Sequence, residues 1–189
     1  MNKPNVICIA GIPGSGKSFL SAALSDNLCN SIVLSGDNYL NAPVKESDFH
    51  ITGPPITEPS KIELHIDRWE NPNLLKALIG HLNEKNGCQY IILDDLRGKI
   101  SNETKSFIDF AFWIKTPPEI ALARFIAREI RVNSWSNDWI SKYLKAYNNQ
   151  FRATHLAIEE IVEGSCDKSL NGILKTEILV KSIIDTLHI

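Results

Sequence analysis

The segment from Gly11 to Ser18 constrains the fold of this chain more than any other. It reads GIPGSGKS and directly follows the apolar run from Val6 to Ala10. This is the complete GxxxxGK[ST] pattern, with a predicted strand before it and a predicted helix after it. Glycines let the backbone wrap closely around an anion, so that successive N–H groups and the positive end of the helix point at a phosphate. The pattern therefore predicts a phosphate-binding loop.

Within this loop each residue type has an expected role. Lys17 is expected to reach the β- and γ-phosphates of a nucleotide, and the Ser18 hydroxyl to hold Mg²⁺. The alternative is an ordinary glycine turn followed by a solvated lysine. The predicted nucleotide-binding residues of the loop and the helix that follows it are Gly11, Gly14, Ser15, Gly16, Lys17, Ser18 and Phe19.

Composition limits the classes of protein that fit. The chain has 189 residues, 43% of them hydrophobic and 22% charged, which is ordinary for one globular domain spanning residues 1–189. A net charge of −2 argues against a broad nucleic-acid interface. No apolar run reaches a membrane-spanning length, and the N-terminus lacks a signal-peptide core, so we expect a cytoplasmic protein. The four cysteines are scattered singly, which predicts neither zinc nor disulfides.

Apolar runs alternate with helical patterns along the chain, which predicts an α/β fold with a parallel sheet. After the first strand, short buried strands are expected at 32–34, 89–93 and 110–114. A fifth strand is expected at 158–162, followed by a loop at 164–171, and a last amphipathic helix begins at Thr176. Neither an internal repeat nor a linker that would divide the chain is found.

Acidic residues follow two of these strands. Asp37 comes just after the second strand, at the edge of an open α/β sheet where ligands bind. It could act as a general base, hold Mg²⁺ through water, or simply cap a turn. Asp94 and Asp95 end the third strand in a Walker B pattern, whose carboxylate acts on Mg²⁺ or its waters. Asp94 is the predicted metal residue, although either acid could fill the role.

The segment 39–70 is rich in proline, acids and aromatic residues and lacks periodicity. A loop of this length is often functional, so we interpret it as an acceptor-binding segment, with a solvated surface excursion as the alternative. Within it, Tyr39, Asp67 and Trp69 are candidate substrate contacts.

Residues 117–152 are predicted to form a lid helix and the helix after it. The first helix is expected to begin with Thr116 as its N-cap and Pro117 at its first position. Arg124, Arg128 and Arg131 fall on one side of it. Guanidinium groups suit phosphate oxygens, so this side is either a basic lid over a polyphosphate or a solvated basic face.

These motifs together resemble the uridine kinase and phosphoribulokinase group of P-loop small-molecule kinases. The resemblance includes GIPGSGKS, the strand that ends in SGDNY at 35–39, the segment IDRWENP at 66–72 and the arginine helix. It implies a five-stranded parallel sheet with helices on both faces and the use of ATP with Mg²⁺. It also implies that Asp37 is the catalytic base, that Asp67 binds acceptor hydroxyls, and that Arg124 and Arg128 clamp phosphates.

The chain departs from that group in three places. Asp94-Asp95 stands where Glu-Gly is usual, the lid continues into Val132-Asn133-Ser134-Trp135, and the stretch between Asp37 and Asp67 is longer and richer in proline. These departures leave phosphoryl transfer intact as a prediction, but not a nucleoside acceptor.

We therefore expect an ATP-dependent phosphotransferase acting on a hydroxyl of a small metabolite. The predicted catalytic residues are Lys17, Asp37, Arg124 and Arg128; Arg124 and Arg128 are also expected to bind the nucleotide, and Asp37 and Arg131 to contact the substrate. Alternatives are a nucleoside monophosphate kinase, a toxin-type sugar-nucleotide kinase, and a nucleotide-binding regulatory module without chemistry. No nucleic acid or membrane partner is expected, and a homo-oligomer is compatible with the sequence.

Overall fold

Five parallel strands form the central sheet of the protein. They are β1 (Asn5–Ala10), β2 (Ser31–Ser35), β3 (Tyr90–Asp94), β4 (Phe110–Lys115) and β5 (Lys168–Asn171), in the order β2-β3-β1-β4-β5. The coordinates are a computed structural model that describes residues 3–39, 71–84 and 87–188. The predicted α/β class and the five-stranded parallel sheet of a P-loop fold are confirmed.

Helices connect the strands and cover both faces of the sheet. The described α-helices are α1 (Lys17–Asn27), α2 (Pro72–Asn83), α3 (Pro118–Asn133), α4 (Asn137–Ala146), α5 (Arg152–Ser165) and α6 (Thr176–Leu187). A π-helical turn, Tyr147–Phe151, joins α4 to α5, and short 3₁₀ turns cover Gly36–Tyr39, Gly98–Ile100 and Lys105–Phe107. None of the described helices is long and apolar enough to cross a membrane.

Strand residues alternate between two hydrophobic cores, as the two-residue period of a strand requires. Ile7 and Ile9 of β1 pack with α1 and α6 on one face, whereas Val6 and Cys8 pack with α2 and α5 on the other. Because β1 lies between β3 and β4, its carboxyl end opens at the middle of the sheet. The phosphate-loop sequence follows it there.

Two local predictions are wrong. Residues 158–162 are helical and belong to α5, where Ile158 and Val162 face the core one turn apart, while Glu159 is half-buried and Glu160 is exposed. The fifth strand is β5, in the stretch predicted as a loop. Its pattern KSLN buries only Leu170, so it has no apolar run that would mark it in the sequence.

The start of α3 also differs from the prediction. Its N-cap residue is Pro117 and its first helical residue is Pro118, so Thr116 does not cap it. Instead, the Thr116 hydroxyl donates to the carbonyl oxygen of Ser15 at 3.1 Å. The helix begins at two consecutive prolines, which have no backbone N–H group, so fewer N–H groups of the first turn need a hydrogen-bond acceptor from a side-chain cap.

Candidate functional site

The loop between β1 and α1 has the shape of an anion cradle. Gly14 and Gly16 have φ values of +81° and +106°, a region that favours glycine. A Cβ at Gly14 would also lie 2.0 Å from the carbonyl oxygen of Ala121, so the loop and α3 pack directly against each other. A Cβ at Gly16 would meet open space. The glycine at that position therefore serves the backbone conformation.

Side chains of the loop and of α3 surround a cavity of about 230 Å³. The ammonium of Lys17 lies over the loop itself, donating to the carbonyl oxygen of Ile12 at 3.5 Å. Phe19 is 71% exposed at the rim. The residues that line the cavity are Gly14, Gly16, Lys17, Ser18, Phe19, Arg124, Phe125 and Arg128.

Ser15 connects this loop to the neighbouring strands. Its carbonyl oxygen accepts from the Thr116 hydroxyl at 3.1 Å and from the Arg124 guanidinium at 3.4 Å. Arg124 also donates to the carbonyl oxygen of Gly172 at 3.1 Å. The loop, the end of β4, the helix α3 and the turn after β5 are thus joined by one set of hydrogen bonds.

The two acids that end β3 have different environments. Asp94 is buried on the side of the phosphate loop, and Ser35 donates to its carboxylate at 3.5 Å. Burial raises the pKa of Asp94, while the charge of Lys17 and a hydrogen bond from Ser18 oppose that rise. The carboxylate therefore shares its surroundings with both residues.

Asp95 is instead held by Arg97. The guanidinium of Arg97 donates to the Asp95 carboxylate at 2.6 Å and 3.0 Å, and both side chains are buried. Glu103 lies 3.5 Å from the same guanidinium. The carboxylate of Asp95 also accepts from the backbone N–H of Arg97 at 3.1 Å. Its oxygens are thus used within the protein.

Asp37 follows β2 in a 3₁₀ turn, with its carboxylate exposed. Its negative charge is one of the contributions that raise the pKa of Asp94. Tyr39 ends the same turn and is half-buried. Asn71, the N-cap of α2, donates to the carbonyl oxygen of Gly36 at 3.0 Å and holds the turn in place.

The three lid arginines do not act alike. Arg128 lines the cavity, lies 5.1 Å from the centre of the Phe125 ring and pairs with Glu129 at 2.8 Å. Arg131 is exposed in the last turn of α3 and lies outside that cavity lining. Asp67, Trp69 and the rest of the predicted acceptor segment from residue 40 to residue 70 lie outside the described residues.

The residues of the cavity fit a polyphosphate. The Ser15 hydroxyl is buried and, within the described part of the chain, has no hydrogen-bond partner. Lys17, Arg124 and Arg128 add positive groups, and guanidinium and ammonium donors suit phosphate oxygens. Ser18 and Asp94 supply hard oxygen atoms of the kind that Mg²⁺ prefers.

Comparison with protein families identifies the chain. The family described as AAA domain matches residues 7–168, from β1 through the start of β5. The chain belongs to the AAA domain family. A sequence search of curated proteins found no match.

Solved structures with the same fold as this AAA domain include several kinases. Deoxyadenosine kinase from M. mycoides with bound dATP is 14% identical, with 98% of this chain and 100% of that chain covered and a TM-score of 0.52. Shikimate kinase from Acinetobacter baumannii in complex with shikimate is 14% identical, with 98% and 93% covered and a TM-score of 0.54. A candidate fructose transport system kinase from Silicibacter sp. TM1040 is 14% identical, with 90% and 91% covered and a TM-score of 0.56.

This likeness establishes the fold. These kinases act on different compounds by their names, so the shared fold does not single out the uridine kinase group.

Three residues around the site were not anticipated from the sequence of this AAA domain. Thr116 was interpreted as a helix cap, and Gly172 and His155 carried no motif. Gly172 could not be recognised because its neighbours, Thr116 and Arg124, are distant in sequence. His155 is a single histidine within a helix, which is a weak signal on its own. The ion pair of Asp95 is different, because Arg97 lies only two residues further along the sequence and could have indicated it.

Proposed function

We propose that this AAA domain is an ATP-dependent phosphotransferase that moves the γ-phosphoryl group of Mg·ATP to a hydroxyl of a small metabolite. The observation that carries the proposal is the set of positive groups around one cavity at the carboxyl edge of the sheet. Lys17, Arg124 and Arg128 line it, and the Asp94 carboxylate lies beside Lys17 and Ser18. Residues 1–189 would form one kinase domain, with 117–152 as its lid.

In this proposal the phosphate loop binds the nucleotide. The backbone N–H groups of residues 11–18 and the Lys17 ammonium would hold the β- and γ-phosphates, and Arg124 and Arg128 would hold the outer phosphate oxygens. Within the described residues, the hydrogen bond that the Lys17 ammonium would exchange for a phosphate is the 3.5 Å contact to the carbonyl oxygen of Ile12. Most of the rate enhancement would come from positioning and from charge.

Ser18 and Asp94 are the residues that would hold Mg²⁺. The described residues contain no group of three or more acids, histidines or cysteines that could bind a metal by themselves. That suits Mg²⁺, which is commonly held by one or two protein oxygens together with nucleotide phosphates and water. When bound, the ion would neutralise phosphate charge. Asp95 is less suited to the role, because Arg97 occupies its carboxylate.

Asp37 would accept the proton of the attacking hydroxyl. Its carboxylate is exposed in the turn after the carboxyl end of β2, so an acceptor could approach it. Tyr39, in the same turn, would contact the acceptor, as would Asp67 and Trp69. Arg131 is a weaker candidate, since it lies away from the cavity.

The finer proposal is an acceptor of the kind used by uridine kinases. The resemblance at residues 35–39 and 66–72 supports it, and the fold shared with deoxyadenosine kinase is compatible with it. The shikimate kinase neighbour shows that the same fold also serves a carbocyclic acceptor. The coarser assignment, a kinase of hydroxyl-bearing metabolites, does not depend on this choice.

The test is ADP release from Mg·ATP across nucleosides, sugars and vitamins, with three variants. Lys17→Ala should lower phosphoryl transfer by about 100-fold or more with the fold retained, because it removes a group that stabilises charge on the phosphates. Asp37→Asn should abolish turnover but keep ATP affinity. Lys181→Ala, an exposed lysine on α6, is the matched control and should behave as wild type. Near-normal transfer by Lys17→Ala would contradict the proposed site.

A further inference from the structure

The π-helical turn between α4 and α5 lies at the edge of the candidate site. Single π turns within helices occur frequently at functional sites. The Tyr147 hydroxyl donates to the carbonyl oxygen of Pro118 at 3.3 Å, and Arg152 pairs with Glu119 at 3.0 Å. Both partners belong to the first turn of α3, which follows the carboxyl end of β4. The π turn is therefore fixed on the same edge of the sheet as the phosphate loop.

A row of rings extends from the nucleotide cavity to the start of α5. We call it the aromatic row: Phe125, Tyr143, Tyr147, Phe151 and His155. Phe125 lines the cavity and stacks on Tyr143 with centroids 4.8 Å apart. The remaining neighbours in the row are Tyr143 and Tyr147 at 6.3 Å, Tyr143 and Phe151 at 5.7 Å, Tyr147 and His155 at 5.9 Å, and Phe151 and His155 at 6.3 Å.

The row has a buried part and an accessible part. Tyr143 and Tyr147 are 5% and 4% exposed, so they are core residues that hold α3 against α4 and α5. Phe151 and His155 are only half-buried. Their rings stack with an interplanar angle of 18°, and each keeps part of its surface open. Core packing thus explains the positions of Tyr143 and Tyr147, but it leaves the open surfaces of Phe151 and His155 unexplained.

His155 is a polar ring in surroundings that do not use its nitrogens. In the described part of the chain its ring packs against the rings of Tyr147 and Phe151, and no described residue hydrogen-bonds it. Burial, and to a lesser extent the charge of Lys17, lowers its pKa to about 4. The imidazole is therefore neutral at neutral pH, with one N–H donor and one acceptor nitrogen, and it lies within electrostatic reach of the phosphate-loop lysine.

We propose that Phe151 and His155 form the acceptor-binding wall of this kinase, and that the acceptor is an uncharged ring compound that stacks on them and hydrogen-bonds His155. This inference rests on the proposed function. A half-buried imidazole with no described hydrogen-bond partner has a donor and an acceptor to offer to a ligand that reaches it. Phe151 and His155 are neighbours at helical spacing, and their partly open rings present one surface on which an aromatic compound can stack.

The charges near the wall indicate what the acceptor is not. The nearest cation on the same turn, Arg152, is exposed and already pairs with Glu119. Lys17, whose charge contributes to the lowered pKa of His155, would be occupied by the nucleotide phosphates. Because both of these cations are engaged, a hydroxyl-bearing nucleoside or aromatic vitamin fits better than a nucleoside monophosphate.

The test compares His155→Phe with His155→Gln in full-length protein. The acceptors are uridine, deoxyadenosine and pyridoxal as aromatic compounds, with glycerol and glucose as hydroxyl compounds without an aromatic ring. ADP release gives kcat and KM for each acceptor, and calorimetry gives the affinity for Mg·ATP. His81→Phe, on α2, is the matched control.

We expect one of the aromatic compounds to be the preferred acceptor. His155→Phe should raise its KM about tenfold or more, the usual effect of losing one hydrogen bond to an uncharged group, with ATP affinity unchanged. His155→Gln should recover part of the loss, because the amide can donate and accept. His81→Phe should match wild type.

Three outcomes overturn the inference, and they are distinguishable. Unchanged acceptor KM in His155→Phe shows that the ring does not face the acceptor, while the proposed kinase stands. A preference for glycerol or glucose shows that the acceptor is not an aromatic compound, and the proposed kinase again stands. Mg·ATP binding without transfer to any compound refutes the proposed function and this inference with it.

Discussion

Replacing Gly172 by alanine should loosen the phosphate loop from a distance. A Cβ at this position would lie 2.0 Å from the Thr116 hydroxyl oxygen, 2.7 Å from a methyl carbon of Ile114 and 3.2 Å from the carbonyl oxygen of Lys115. The last of these is backbone and the first two belong to short β-branched side chains, so little of the overlap can be relieved by rotation. Thr116 must move, and its hydrogen bond to Ser15 must lengthen or break.

The expected loss of stability has two parts. Overpacking of a well-packed site costs about 1 to 3 kcal/mol. Loss of the bond from Thr116 to Ser15 adds about 0.5 to 1.5 kcal/mol. A total near 3 kcal/mol corresponds to a fall in Tm of about 6 to 12 °C for a chain of this length. Because Ser15 belongs to the phosphate loop, affinity for Mg·ATP should fall as well.

Thermal unfolding with and without Mg·ATP measures both effects, and a double-mutant cycle assigns their origin. Thr116→Ala removes the hydrogen bond but also the oxygen that the new methyl group would strike. The double variant with Gly172→Ala should therefore be more stable than the sum of the single effects by about 1 kcal/mol. Thr116→Ser keeps the hydroxyl and should remain close to wild type. If Gly172→Ala melts within a degree of wild type, the turn after β5 does not pack on Thr116 as described.

Three further predictions concern titratable groups that are at least partly buried. Asp94→Asn should lower turnover by about 100-fold or more with little change in Tm, because it alters the proposed Mg²⁺ site. Asp95→Asn should lower the free energy of unfolding, measured with urea, by about 3 kcal/mol or more, because Arg97 loses its buried carboxylate partner. The pKa of His155 is about 4 in the folded protein and near 6.5 when unfolded, so the unfolded state binds the extra proton and stability should fall as pH drops through that window. Urea unfolding should show a smaller fall in His155→Phe; equal falls would show that His155 is not buried in its neutral form.

Much of the architecture was predictable because its signals are local. The phosphate loop, β1 and the buried strands each have a run of apolar residues or a glycine pattern that acts within a few positions. β5 lacks such a run, since an edge strand with one buried residue has no periodicity to detect. Residues 158–162 were misassigned because five mostly apolar residues fit a short strand as well as a helix face, and only the length of α5 decides between them.

The site itself was predictable only in part. The structure brings Lys17, Arg124 and Arg128 to one cavity, but the contact of Arg124 with Gly172 joins positions 48 residues apart that no local pattern connects. The same holds for Thr116, whose side chain is used 101 residues away at Ser15. Such contacts depend on strand order, and strand order is set by packing across the whole sheet rather than by neighbours in sequence.

The different positions of Asp94 and Asp95 follow from strand geometry. Successive side chains of a strand point to opposite faces, so Asp94 shares the face of Ile92, which packs with α1 and α6. Because α1 begins at Lys17, that face places the Asp94 carboxylate beside the phosphate loop. The next residue, Asp95, is turned to the other face, where Arg97 binds it. Residue parity, together with the knowledge of which core contains α1, therefore explains which of these two adjacent acids lies on the side of the phosphate loop.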